Sequence, residues 1–297
     1  MTPRREASAD GQRSRGFGST IPATVEDDWR PPDGLNLGTA HPARRYDWWL
    51  GGKDNFHADR ESGAAIEAVF PTIRVAAQAN RGFLRRAVTF LAAEAGIRQF
   101  LDIGAGLPTR PNVHEVAQSI APESRIVYVD NDPMVLVHAR ALLTSSPQGA
   151  TAYVDADVRE PEKILSDPEL LGTLDLSQPI ALTLVAVLHF ITDDDDPYGV
   201  VARLVDALPP GSYLVMSHAT SDFMQAETAT EANAVNAASR VPFQFRSRKE
   251  FAQFFDGLEL VPPGIQSVAD WRAEKEPQPR PSAADTAAFG AVARTPP

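Results

Sequence analysis

The sequence has no cysteine among its 297 residues. Disulfide scaffolds, cysteine-ligated zinc, iron–sulfur clusters and thiol nucleophiles are therefore all excluded. Long hydrophobic runs are missing too. The longest, residues 180–188 (IALTLVAVL), is about half of the ~20 residues a membrane helix needs and reads better as a buried strand. Basic side chains are in deficit, 28 against 39 acidic, for a net charge of −11. The chain thus lacks the positive face that a phosphate backbone requires, and neither a nucleic-acid nor a membrane partner is expected. Arg4 and Arg5 have no apolar stretch behind them, so no export signal is expected and the cytoplasm is the expected location. No internal repeat is present. What is present is a 43% apolar fraction, enough to bury the core of one large domain or two small ones.

Residues 1–36 are rich in Gly, Pro, Ser and charge without helical or strand periodicity, and are expected to be disordered or loosely docked. Residues 37–297 read as a single domain, with an N-terminal helical lid over 37–96, an α/β core over 97–297 and a helical insertion near 221–240. From residue 97 onward, short apolar β-branched segments alternate with helical ones. Strands are expected at 100–103, 125–129, 152–154, 180–188 and 213–216, and helices at 71–96, 112–120, 133–143, 161–170 and 197–208. Strands alternating with helices of about ten residues imply crossovers and a mainly parallel sheet. The expected architecture is a doubly wound α/β sandwich whose ligand lies at the carboxyl ends of the strands.

The chemistry clusters at those ends. Gly104 and Gly106 in DIGAGLPT let the backbone turn tightly and approach a ligand closely. Thr109 stands where a dinucleotide fingerprint would continue toward a third glycine, and the helix starts late, after Pro111. That geometry serves a pyrophosphate poorly, so a ligand without phosphates is expected. Asp130, 24 residues beyond Gly106, is placed to accept from ribose hydroxyls, with Asp132 capping the next helix. Asp155 and Asp157 follow the third strand. Either Asp157 accepts from an adenine amino group, or it pairs with Arg159. Together these residues describe an adenosine bound without phosphates.

The chain resembles a class I S-adenosylmethionine-dependent methyltransferase, and more narrowly a bacterial S-adenosyl methyltransferase family of unassigned substrate. The resemblance spans about residues 42–293 and rests on ARRYDWWLGGKDNFHADRE (43–61), NRGFLRRAV (80–88), FLDIGAGLPTRPNVHEVAQ (100–118), VYVDNDPMVLVHARALL (127–143) and DADVREPE (155–162). It implies a Rossmann-like, mostly parallel seven-stranded sheet with an antiparallel C-terminal strand, matching TAAFGAVAR, although Phe289-Gly290-Ala291 stands where an aromatic and two glycines are expected. It implies S-adenosyl-L-methionine as cofactor, with Asp102, Gly104, Ala105 and Gly106 facing its methionine and ribose parts. Asp130 and Asn131 would bind the ribose, Asp157 and the Val158 backbone the adenine, and Leu188 and His189 would lie beneath the sulfonium.

The segment RRYDWWLGGKDNF (44–56) is the most unusual. Trp48 and Trp49 suit core packing. The polar residues suit a lid in which Tyr46 and Asn55 contact the amino-acid end of the cofactor and Gly51-Gly52 permit a sharp turn. Gly52 is accordingly a cofactor-site candidate. Methyl transfer is an in-line displacement governed by alignment and desolvation. Where the acceptor needs a base, His189 and His218 are the candidates, since both end strands that face the pocket. His114 follows the glycine turn but otherwise reads as a helix residue. Asp193 to Asp196 read as a capping loop before Pro197, and no metal is expected. Phe223 and Met224 are expected at an acceptor pocket for a small molecule. The competing readings are an NAD-dependent oxidoreductase and a non-catalytic S-adenosylmethionine-binding protein.

Overall fold

The protein, as a computed structural model, is described over residues 35–142 and 144–296. The expectation of disorder for residues 1–36 falls almost entirely outside that range. Helices α1 (Pro42–Trp49), α2 (His57–Val69) and α3 (Ile73–Ala93) precede β1 (Gln99–Ile103). Then follow α4 (Val113–Ile120), β2 (Arg125–Asp130), α5 (Pro133–Leu142), β3 (Ala150–Asp155), α6 (Pro161–Leu165), α7 (Pro168–Thr173), β4 (Ala181–Val185), α8 (Pro197–Asp206), β5 (Tyr213–Ala219), α9 (Ala226–Ala238) and α10 (Arg248–Gln253). The last elements are β6 (Glu259–Leu260), β7 (Gln266–Ser267), α11 (Ala283–Thr286) and β8 (Ala288–Arg294).

One mixed sheet carries the fold, in the order β3-β2-β1-β4-β5-β8-β6, with β7 also pairing β8. The first five strands are mutually parallel and β8 runs antiparallel to β5. The sheet is thus Rossmann-like. Its seventh position is filled by two two-residue strands rather than one, which makes eight strands in all. Alternate residues point to opposite faces: Leu101 and Ile103 join one apolar cluster, and Phe100 joins the other. Both faces are covered, which is why β1 and β4 show no polar alternation.

Helix α3 belongs to the second of those clusters through Phe83, Ala87, Val88 and Leu91, all with no exposed surface. Burying each of the larger side chains contributes ~1.5–3 kcal/mol. The expected lid over 37–96 is therefore too long, because α3 is a layer of the sandwich. Only α1 and α2 stand outside it, packed on each other and, through α2, on α9. Helix α9 occupies the expected insertion.

The apolar run at 180–188 does not extend the strand to Leu188. Ala186 takes φ +59 and β4 ends at Val185. The Ala186 amide turns aside to donate to Ser217 Oγ at 2.9 Å, and Leu188–Phe190 form a single 3-10 turn. Similarly, the helix expected over 161–170 breaks in two because Asp167, accepting from the Glu169 amide at 2.8 Å, starts a new helix at Pro168. Gly290 of β8 faces the Phe83 ring, where a Cβ would lie 2.8 Å from Cε2. That contact explains the glycine retained there, while Ala291 beside it is accommodated in the opposite cluster. Among the described residues no helix is long and apolar enough to cross a membrane.

Candidate functional site

A cavity of about 320 Å³ opens at the carboxyl ends of β1, β2, β3 and β4 and is roofed by the start of α1. Gly104 and Gly106 form its floor at φ +73 and +67. A Cβ on Gly104 would lie 2.5 Å from Val187 Cγ2, so this glycine is required where the exits of β1 and β4 meet. The Gly106 amide donates to Asp130 Oδ2 at 2.8 Å and the Asp132 amide to Asp130 Oδ1 at 3.0 Å. Each Asp130 oxygen retains acceptor capacity, and the residue lines the cavity. Burial raises its pKa. Asp132 takes the capping role instead, accepting from the Met134 amide at 2.9 Å, with Oδ2 3.2 Å from Arg44 Nε.

Asp157, Asn131 and Val158 line the same cavity, whereas Asp155 is exposed and does not. Of the two roles open for Asp157, pairing with Arg159 is the one realised. Its oxygens accept from the Arg159 amide, Nε and Nη2 and from Asn131 Nδ2, at 2.7 to 2.9 Å. Although burial opposes them, these bonds hold its pKa down at about 2. All four acceptor positions are taken, so Asp157 orients Asn131 and the loop rather than offering a free acceptor. The adjacent Val158 amide has no partner among the described residues and remains a free donor.

Asp102 lies at the cavity's inner end, buried, accepting a short hydrogen bond from Thr183 Oγ1. Burial pushes its pKa up to about 6, against the Thr183 hydrogen bond and the Arg81 charge. Two neighbours on α3 escaped the sequence reading of the site, although both fall in the NRGFLRRAV motif. Arg81 donates from Nη2 to the Thr109 and Pro111 carbonyls, both at 2.6 Å, leaving Nε and Nη1 unengaged. Asn80 donates to Tyr46 Oη at 2.9 Å, and its buried Oδ1 has no partner. Asn80, Arg81 and Leu84 all line the cavity because Leu84, four residues from Asn80 and three from Arg81, shares a helix face with each.

Several expected contacts are absent. Gly52 and Asn55 do not line the cavity: Asn55 Nδ2 donates to Asp47 Oδ2 at 2.7 Å, and a Cβ on Gly52 would lie 1.9 Å from Asp47 Oδ1. Both residues serve to fold the α1–α2 loop around Asp47. Leu188 is fully buried in the core and His189 faces elsewhere, because the chain turns at Ala186 and brings Val187, Phe190 and Ile191 to the cavity. His114 is buried against Tyr128, its Nδ1 2.9 Å from Oη, away from the cavity. Tyr46 does line it, as does Ala105.

A second cavity, of about 110 Å³, lies behind the first and is mainly apolar. Tyr46, Asn80, Ala186 and Phe190 line both and form the wall they share. His189, His218 and Met224 line the second cavity alone, while Phe223 packs on Phe289 instead. The two histidines are poor bases. His218 donates from Nδ1 to the Ala219 carbonyl at 2.7 Å and accepts at Nε2 from Arg246 at 2.8 Å. Burial, first, and the Arg246 charge bring its pKa down to about 3. His189 accepts at Nδ1 from the Ala219 amide at 3.4 Å, which leaves its proton on Nε2. Its pKa too is well below the usual value, through burial and the nearby His218, Arg45 and Arg246. The expectation that either residue removes a proton is thus corrected: each free lone pair is already occupied.

The first cavity offers free acceptors beside the glycine turn, a free amide for a planar ring, and a cation with an acid and an orphaned amide oxygen at its inner end. It offers no cluster of free amides for phosphates. The start of α4 is closed by Asn112 and Glu115, whose Oε2 accepts from the Asn112 amide at 2.7 Å. An adenosyl group joined to an amino acid fits this donor set, and the orphaned Asn80 Oδ1 is the sharpest sign of a missing partner.

The sequence profile of a family described as S-adenosyl methyltransferase matches residues 29–296. A solved protein of the DUF574 family from Streptomyces avermitilis is 50% identical, with a TM-score of 0.83 over 88% of this chain and 99% of its own. A protein from Thermobifida fusca YX, provisionally called a methyltransferase, is 41% identical, with a TM-score of 0.81 over 90% of this chain and 99% of its own. No curated protein matches.

Proposed function

The chain belongs to the S-adenosyl methyltransferase family, and on that premise we propose that it methylates a small molecule held in the second cavity. It is an S-adenosylmethionine-dependent methyltransferase, and the family assignment favours neither the NAD-dependent oxidoreductase nor the non-catalytic binder. The observation that carries the small-molecule reading is the wall of Tyr46, Asn80, Ala186 and Phe190 shared by a polar cavity and an apolar one.

Bound in the first cavity, S-adenosylmethionine supplies a methyl group on a positively charged sulfur. Asp130 accepts from the ribose hydroxyls with the capacity that Gly106 and Asp132 leave, and the Val158 amide donates to the adenine ring. The unengaged Nη1 of Arg81, whose Nη2 is held by the Thr109 and Pro111 carbonyls, donates to the carboxylate of the methionine part. Asp102 and Asn80 Oδ1 take its ammonium. Helix α1 and the residues just before it act as the cover, contributing Tyr46 and the residues around His41. The apolar second cavity keeps water from the acceptor, which favours a transition state in which charge is lost. With His189 and His218 both neutral and engaged, the rate derives from alignment across the shared wall rather than from a histidine base.

Calorimetry with S-adenosylhomocysteine tests these assignments. Asp130→Ala removes hydrogen bonds to a charged acceptor, worth ~1.5–3 kcal/mol each, and should weaken binding at least tenfold. Asn55→Ala should leave affinity within threefold while lowering stability. Unchanged binding by Asp130→Ala, or tight binding of NAD, would sink the reading.

A further inference from the structure

We propose that the methyl acceptor is a small aromatic carboxylic acid, anchored in the second cavity by Arg45; this rests on the proposed function and narrows its substrate class. Arg45, on α1, is 1% exposed and lines the second cavity but not the first. Only its Nη1 is engaged, donating to Asn236 Oδ1 at 2.9 Å and Ser62 Oγ at 3.2 Å, both neutral. Nε is buried without a partner, and no described carboxylate oxygen lies within salt-bridge distance of the guanidinium. The nearest opposing charge, Asp59, lies 3.6 Å from Arg44 and accepts from the His41 and Phe56 amides. Burial draws the Arg45 pKa down to about 10, so the group remains charged at neutral pH.

Another buried cation of the region shows what compensation looks like. Arg246 is 2.7 Å from Asp193 Oδ1 and also donates to the Leu188 and Ile191 carbonyls. Buried charges are ordinarily paired in this way, because an uncompensated one is costly to desolvate. Among the described residues Arg45 has no such partner. The edge left open, Nε with Nη2, is the side of the guanidinium fork that takes a carboxylate through two parallel hydrogen bonds.

The rest of the cavity defines what the carboxylate is attached to. Trp49 and Phe190 flank the guanidinium, with ring centroids 5.4 and 5.9 Å from Cζ. Phe70 and Phe243 add further aromatic wall. About 110 Å³ is of the order of the ~150 Å³ apolar cavity known to take benzene, which sets the scale at one ring. The Nε2–H of His189 is a further donor for the anchored group. Arg45 lines only the second cavity, so the anchored carboxylate stays on that side and a second group on the ring is left to meet the methyl donor across the shared wall. Arg45 is on this account a positioning residue.

Titration calorimetry on the full chain saturated with S-adenosylhomocysteine, using benzoate, benzyl alcohol and benzylamine as probes, tests the anchor. Benzoate should bind at least tenfold more tightly than benzyl alcohol, and benzylamine should not bind. Arg45→Met should abolish the preference for benzoate, and Arg45→Lys should retain part of it. Equal binding of benzoate and benzyl alcohol, no detectable benzoate binding, or an undiminished preference in Arg45→Met would overturn the proposal. The wild-type Arg45 Nε–H resonance gives a reading independent of how the variants fold: saturating benzoate should shift it and benzyl alcohol should not, and an unmoved resonance refutes the anchor. S-adenosylhomocysteine affinity in the same samples separates the two levels. Its loss counts against the cofactor site, whereas lost benzoate selectivity alone counts against Arg45.

Discussion

Replacing Asp102 by asparagine should make the ligand-free protein more stable and the enzyme worse. Asp102 is 5% exposed, and burial lifts its pKa from 3.8 to about 6. At ~1.36 kcal/mol per pH unit, ionising it in the fold rather than in the unfolded chain costs about 3 kcal/mol. An acid with a raised folded-state pKa destabilises the fold fully above that pKa and not at all below the unfolded one. Asparagine keeps an oxygen to accept from Thr183 and carries no charge. Asp102→Asn should therefore gain about 3 kcal/mol over wild type in urea unfolding at pH 8, and about half that at pH 5. The loss appears in binding. If Asp102 holds the ammonium of the methionine part, the variant should bind S-adenosylhomocysteine at least tenfold more weakly at pH 8. Wild-type affinity should also decline as pH falls below about 6, whereas that of the variant should not. A variant no more stable than wild type at pH 8, or equally stabilised at pH 5 and pH 8, would refute the burial argument. Unchanged affinity would refute the assignment.

Two further pairs of substitutions probe the backbone of the site and the sheet behind it. Gly104→Ala places a Cβ 2.5 Å from Val187 Cγ2 at a positive φ, and should cost ~2 kcal/mol or more. Val187→Ala should remove the Cγ2 contact while leaving the residue's own Cβ 2.8 Å away and the φ strain in place, giving a favourable coupling of about 0.5 kcal/mol in a double-mutant cycle followed by urea unfolding. Gly290→Ala drives a Cβ toward the Phe83 ring and should cost ~1–3 kcal/mol. Ala291→Gly, on the other face, should cost only about 1 kcal/mol. Equal thermal shifts for these two would contradict the packing described.

The parallel sheet was legible because its strands are covered on both faces and therefore appear as uninterrupted apolar segments between helices. The glycine turn and Asp130 were legible because their positions depend only on where β1 and β2 stop. What failed did so for local reasons. Leu188 and His189 were expected in the cofactor cavity because the family resemblance places them there, at the close of a fourth strand read as the apolar run 180–188. A positive φ at Ala186, which composition does not announce, instead brings Val187, Phe190 and Ile191 to that wall. Gly52 and Asn55 carry family-specific signal without touching the cavity, since they hold the loop around Asp47. Asn80 and Arg81 lay inside a recognised motif, but only the packing of α3 on the sheet reveals which of its faces meets the ligand. The strands β6 and β7, two residues each, are too short for any periodicity to register.

The position of β8 has a consequence for synthesis on the ribosome. This strand, Ala288–Arg294, lies between β5 and the β6–β7 edge and is hydrogen-bonded to both sides. All five parallel strands leave the ribosome at least 69 residues before it, since β5 ends at Ala219 and β8 begins at Ala288. At ~5–20 residues per second, β5 presents its unpaired backbone edge for several seconds in every nascent chain. An open edge of that kind is a template for other strands. The interval when this chain is most exposed to misassembly therefore falls between translation of residues 219 and 294, and a product cut short there would retain the cofactor-side strands yet keep the adhesive edge.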